Sequence, residues 1–203
     1  DYEVAAAALT AARRAAAVRL AGEVSECIAG LGMPGAKFQA VLLPLEEGNA
    51  SAAGAERVEF RILANAGDTW RPLARVASGG ELSRISLGIQ AATLAQGEIP
   101  TLIFDEVDVG IGGAVAETVG RLLRGLGAKR QVLCITHLPQ VAAQAHHHLR
   151  VSKQAGEART ATAVERLPAG ARVDEIARML GGVNITERTR AHAAEMLTTA
   201  QRP

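Results

Sequence analysis

The stretch that most limits the fold of this chain is Thr101-Leu102-Ile103-Phe104-Asp105-Glu106. A run of strand-forming residues ends there in two adjacent carboxylates. A helical pattern at 113–126 and a second apolar strand at 131–136 follow. Strand, helix and strand joined by short loops require a parallel pair with a right-handed crossover. A parallel strand ending in Asp-Glu delivers both acids to the carboxyl edge of its sheet, where open α/β folds bind ligands. The run 131–136 is apolar without alternation and reads as a strand buried on both faces. The fold class is therefore α/β, a parallel sheet with flanking helices and added antiparallel strands.

The second constraining stretch is Ser78-Gly79-Gly80-Glu81-Leu82-Ser83-Arg84. It reads as a small-residue turn that opens a helix over 80–96, with Leu82, Ile85, Leu87, Ile89 and Leu94 as apolar positions and Gly97 and Pro100 closing it. The first turn of a helix has no internal partners for its N–H groups, so they are free to face an anion. The glycines let that anion approach the backbone closely.

Around these stretches the rest falls into order. Residues 2–30 predict one long helix. Leu20, Val24, Cys27 and Leu31 form an apolar face, and Val4, Ala11 and Val18 recur seven apart as a weak heptad. An amphipathic helix packed on its own domain and the root of a coiled coil are both open on this pattern. Strands are expected at 37–45 and 56–64, the second alternating through Val58, Phe60 and Ile62, with a Gly/Ala/Ser-rich loop between them. Trp70 is weighed as a packing residue over a base-stacking one. A short helix at 139–145, strands at 147–152 and 159–166 and a helix at 171–180 follow. A last helix is expected from Asn184, with Glu187 as its capping-box partner.

The chain has 203 residues and a net charge of +1, so no global basic field advertises nucleic acid. Its 2 cysteines, Cys27 and Cys134, do not make a disulfide framework and fit a reducing cytoplasm. There is no signal peptide and no apolar run of membrane-spanning length, so no membrane partner is expected. The chain begins at Asp1 and enters a helical pattern directly, which reads as a piece of a longer protein.

Phosphoryl transfer to water needs a metal to neutralise the β/γ oxygens and a group to orient or deprotonate the water. Asp105, nearest the strand, is the candidate on the metal side, acting on Mg2+ through water. Glu106 is the candidate general base, and the bland alternative for the pair is a solvated acidic turn. His137 follows the second strand and is within reach of the same edge, where it can meet a γ-phosphate or the water. His146, His147 and His148 are consecutive in an extended segment, point to alternating faces, and cannot all ligate one ion. Asp108, Gly110, Gly112 and Gly113 make a tight glycine loop after the carboxylates. One part is missing from the sequence. Lys37, Lys129 and Lys153 are the only lysines and none follows a glycine, so there is no Gly-x-x-x-x-Gly-Lys-Ser/Thr phosphate loop.

Taken together, Ser78-Gly79-Gly80-Glu81, Leu102-Ile103-Phe104-Asp105-Glu106, Asp108 and His137 resemble the signature motif, Walker B strand, D-loop and switch histidine of an ABC-type ATPase head. The longer wording, Ala77–Arg84, Ile103–Gly113 and Thr136–Ala143, is similar to the bacterial RecN DNA-repair family, relatives of the structural-maintenance-of-chromosomes (SMC) group. The resemblance covers nearly the whole chain. It implies a coiled-coil root at 1–31 and the C-terminal part of an ABC-type P-loop NTPase head at 32–203, whose lysine loop comes from the N-terminal half of the same head. It implies ATP and Mg2+ as ligands, a homodimer through the heads and double-stranded DNA as partner, in the cytoplasm at the nucleoid. In that scheme Ser78, Gly79, Gly80 and Glu81 cap ATP held by the opposite head. Asp105 helps hold Mg2+, Glu106 polarises water, His137 contacts the γ-phosphate and Asp108 links the two sites across the dimer. Two other readings are an ATPase subunit of a membrane transporter, which the long N-terminal helix disfavours, and a non-catalytic dimerisation module, which Glu106 disfavours.

Overall fold

A computed structural model describes residues 1–46, 51–93, 99–155, 160–182 and 184–201. The chain forms two compact units, Asp1–Glu98 and Ile99–Pro203.

The first unit is built on α1 (Tyr2–Gly30), capped by the Asp1 carboxylate accepting from Glu3 N–H. Its C-terminal half carries the core. Val24, Ile28 and Leu31 are all but fully buried, while Val4 and Val18 are 68% and 77% exposed. β1 (Lys37–Pro44) and β2 (Glu56–Leu63) pair antiparallel in the register Phe38↔Ile62 and Ala40↔Phe60, and a short β3 (Arg71–Pro72) adds to β2. A single 3-10 turn at Leu73–Arg75 leads to α2 (Gly79–Ala92). Val24, Ile28, Met33, Phe38, Ile62 and Ile85 close into one core between α1, the sheet and α2. Gly88 sets how close the two helices come, since a Cβ there would lie 2.8 Å from Ile28 Cγ2. Of the alternating set on β2, Ile62 is buried. Val58 and Phe60 remain 47% and 37% exposed and line an open apolar groove with Leu20, Ala40 and Leu42. Trp70, expected to pack, is 40% exposed beyond a turn in which Asp68 accepts from Asn65 N–H and Nδ2. Leu94 and Gly97, assigned to the end of the second helix, lie outside the described residues.

The second unit opens with β4 (Thr101–Phe104), α3 (Gly113–Gly127) and β5 (Gln131–Cys134). β4 and β5 are parallel, in register Thr101↔Gln131 through Phe104↔Cys134. The crossover is thus the expected one. The expectation of a strand buried on both faces fails, because Ile103, Leu133 and Ile135 are 69%, 42% and 61% exposed. Leu102 and Phe104 face the core, with Val119, Leu123 and Leu126 of α3 buried too. An unbroken apolar run records what a strand tolerates on each face, and among the described residues one of those faces is left open. α4 (Pro139–Gln144) starts with Pro at its first turn. β6 (Leu149–Ala155) and β7 (Thr160–Arg166) form an antiparallel hairpin. α5 (Ala169–Gly181) and α6 (Glu187–Ala200) pack with α4 through Ala142, Ala143, Ile176, Ala177, Ala193 and Leu197. The cap of α6 is Thr186, whose hydroxyl accepts from Thr189 N–H, and not Asn184. Among the described residues no helix is long and apolar enough to cross a membrane.

Candidate functional site

In the second unit the two parallel strands end together, and Ile135 N–H still bonds Phe104 O at 3.0 Å, one step past the ladder. The chain after β4 and the chain after β5 therefore leave the sheet side by side. Asp105 and Glu106 emerge from the first, His137 from the second.

Asp105 and Glu106 are both exposed at the sheet edge. Asp105 Oδ1 accepts from Glu106 N–H at 2.9 Å, which folds the backbone back on itself. Glu106 then takes φ of 58°, the one positive φ among described residues other than glycine. A side chain in the left-handed region costs roughly 1–2 kcal/mol. Such strain persists where the surroundings over-determine it, and it gathers at functional sites. The turn that follows, with Val109 N–H on Glu106 O at 3.2 Å and Gly110 at φ of 74°, brings the chain round to α3.

Asp108 is 2% exposed. Its Oδ2 accepts from Thr136 Oγ1–H at 2.5 Å and from His137 N–H at 3.1 Å, and it lies 3.4 Å from His137 Nδ1. Thr136 Oγ1 in turn accepts from Leu138 N–H at 3.0 Å. One buried carboxylate thus holds the backbone of the loop that presents His137, whose side chain is 69% exposed. Motif reading casts Asp108 as a contact across a dimer; the structure gives its carboxylate partners within its own chain. Sequence reasoning places Thr136 only as the last residue of a strand. Its signal was available: a hydroxyl immediately before an exposed histidine, at the strand end where backbone groups lose their ladder partners.

Cys134 lies against this cluster. Burial pushes its thiol up to about 12, helped by the charges of Asp108 and Asp105, so it stays protonated. Among the described residues no group of three or more His, Cys, Asp or Glu is placed to cage a metal. A magnesium ion that keeps most of its waters needs no cage, only one or two carboxylates and the phosphates themselves. The exposed hard oxygens of Asp105 suit that role.

In the first unit Ser78 caps α2 with extended backbone, φ −90° and ψ 119°, and its hydroxyl accepts from Glu81 N–H at 3.3 Å. That bond satisfies one first-turn donor. The N–H groups of Gly79 and Gly80 stand ahead of it, where a helix offers them no carbonyl. Ser78 and Gly79 are exposed, Gly80 is buried and Glu81 is intermediate. The turn therefore meets solvent at Ser78 and Gly79, at the positive end of a 14-residue helix.

No protein-family model matches the chain. The DNA repair protein RecN of Xylella fastidiosa is 49% identical over 200 residues, which cover 98% of this chain and 36% of that protein. The DNA repair protein RecN of Haemophilus influenzae is 50% identical over 197 residues, 97% of this chain and 35% of that protein. The chain spans about a third of the length of the curated relatives it matches. Among solved structures, the Smc head domain with a coiled coil and joint from Pyrococcus yayanosii matches with a TM-score of 0.56 at 23% identity, over 78% of this chain and 28% of that one. That likeness speaks for the fold alone: the α/β arrangement is that of an Smc head domain.

Proposed function

Since the chain belongs to the RecN family of DNA repair proteins over the third of their length that it spans, we propose that it forms the C-terminal half of an SMC-like ATPase head that works in DNA double-strand break repair and recombination. The observation that carries this reading is the end of β4. An exposed Asp105-Glu106 pair, with Glu106 in left-handed backbone, stands beside a histidine loop pinned by a buried aspartate.

The roles follow from the chemistry of each group. Glu106 orients and deprotonates the attacking water. Asp105 holds Mg2+ through its water shell, and the ion supplies neutralisation of phosphate charge. His137 donates to the γ-phosphate of the substrate ATP. The turn Ser78-Gly79-Gly80-Glu81 offers a hydroxyl and helix-end amides to a phosphate held by a second head, so ATP joins two heads and its hydrolysis releases them. The lysine that must grip the β- and γ-phosphates has no candidate in the 203 residues, and the N-terminal half of the same head supplies it. The exposed seven-residue spacing of Val4, Ala11 and Val18 supports residues 1–31 as a coiled-coil root, with 32–203 as the head portion. Double-stranded DNA is the partner on which the head dimer acts, in the cytoplasm at the nucleoid.

The test is ATP hydrolysis by this chain combined with the N-terminal half of the head. Wild type turns over, and Glu106→Gln lowers turnover by at least about a hundredfold, as loss of a general base does. Unchanged turnover in Glu106→Gln would remove Glu106 from the base role.

A further inference from the structure

The consecutive histidines have no part in the site above. They stand at the mouth of an open cleft of about 450 Å³ in the second unit, which shares no residue with the carboxylate end of β4. His146, His147, Arg166 and Arg172 line it, over a floor of Leu167, Pro168 and Ala169. We propose that this cleft binds a phosphate group; its assignment to a nucleic-acid backbone rests on the DNA-repair reading above.

The ionisable side chains that line the cleft are histidine and arginine, and no carboxylate lines it. Arg166 Nη2 lies 3.0 Å from His147 Nδ1. Arginine can only donate, so the imidazole accepts at Nδ1 and carries its proton on Nε2, leaving a second donor beside the guanidinium. Among the described residues Arg166 has no carboxylate partner. Arg172 Nη2 and Nη1 donate to Ala145 O at 2.7 Å and His146 O at 3.4 Å, both uncharged acceptors. Its Nε is shut off from solvent and has no acceptor among the described residues. The acid nearest in influence, Glu175, is spent elsewhere. It takes a forked pair of bonds from Arg178 and stands 3.9 Å from Arg150.

The histidines register the unbalanced charge. His146 is held below its ordinary value first by burial and then by Arg124, His147 and Arg172. His148 is lowered by burial and then by Arg172, with Glu175 opposing. The first turn of α5 adds amide donors. Its N-cap is Pro168, which has no side-chain acceptor, and no acidic residue lies in that turn. Gly170 has open space at its Cβ position, so a bulky anion meets no side chain there.

A cation is repelled by this lining, and His147 Nδ1 is already occupied. A carboxylate has two oxygens for a set of donors arriving from several directions. Those two oxygens lie in one plane, whereas the oxygens of a phosphate, free or in a diester, are set tetrahedrally and can meet the guanidinium and the helix end from different directions. A phosphodiester of DNA or RNA and free inorganic phosphate share this chemistry, and the experiment separates them.

The full chain is titrated with inorganic phosphate, with chloride at matched ionic strength as control, while imidazole and backbone amide signals are followed by NMR. A short double-stranded DNA is titrated in parallel. Phosphate and DNA are both expected to move His147 and the amides of Ala169, Gly170 and Ala171, and Arg166→Gln weakens both by about tenfold, the scale of one charge-assisted bond. The slope of log affinity for DNA against log salt falls by about one in Arg166→Gln. Arg166 is exposed at the end of β7, and an unchanged amide spectrum elsewhere verifies that the variant keeps its fold. Movement with inorganic phosphate but not with DNA overturns the nucleic-acid assignment. No movement with either ligand, or equal movement in Arg166→Gln, overturns the site.

Discussion

At the scale of single residues, the arrangement turns on one buried carboxylate. Asp108 is buried and accepts from Thr136 Oγ1 and His137 N–H. Removing one partner of a buried, charge-assisted pair costs more than the pair contributes net, because the other partner is left unsatisfied. Thr136→Val keeps the shape and deletes the hydroxyl, so it strips Asp108 of one donor and Leu138 N–H of its acceptor. It is expected to destabilise the second unit by about 1–3 kcal/mol, read by urea denaturation, and to broaden the His137 amide signal. Thr136→Ser restores both bonds and recovers most of the loss. An equal loss in Val and Ser would mean that the methyl packing, not the hydroxyl, matters. The pairing was not legible in sequence. Asp108 sits in a glycine-rich turn, and a polar residue in such a turn reads as solvent-facing. What buries it is the return of the chain after β5, 28 residues on at Thr136, and no local pattern encodes that return. Glu106 differs: its place at the strand end was legible, its left-handed backbone was not, since glutamate is not a residue that announces positive φ.

At the scale of elements, period and punctuation carried most of the reading. The long helix, the antiparallel pairs flanking the parallel one and the crossover helix all follow from spacing and from glycine and proline positions. Faces were harder. Alternation tells which residues share a side of β2, not whether anything covers that side. Val58 and Phe60 therefore match Ile62 in pattern and differ from it in burial. The start of α6 shows a related limit, because Asn184 and Thr186 are both good caps and the choice rests on which one aligns with the amide three residues on. Helix approach is the least visible of all. Gly88 reads as a weak point in α2, yet it is where the side of Ile28 comes against the α2 backbone. Gly88→Leu forces α1 and α2 apart and is expected to cost about 1–3 kcal/mol by overpacking, measured as a lowered denaturation midpoint with the second unit's His137 signals unmoved. A gain in stability, from leucine's better helix propensity, would show that the two helices part without penalty.

At the scale of the whole molecule, the proposed machinery is shared out. The solvent-facing turn at Ser78 belongs to one compact unit and the acids with His137 belong to the other. Under the proposal each does its work on an ATP completed by residues from elsewhere. Ser78→Arg fills the turn with a side chain longer than the serine it replaces. In the Glu106→Gln background, with the N-terminal half of the head present, light scattering should show ATP-dependent doubling of mass, and Ser78→Arg should abolish it. Doubling that survives Ser78→Arg would take the turn out of the head contact. The close seat of Gly88 on Ile28 has one more consequence. α1 has 29 residues and so extends about 43 Å, and its inner end is clamped to the helix whose first turn is Ser78-Gly79-Gly80. A push on the outer end near Tyr2 must either bend α1 or swing that turn with it. The rod is then a lever, and mechanical load at its tip is felt at the first turn of α2.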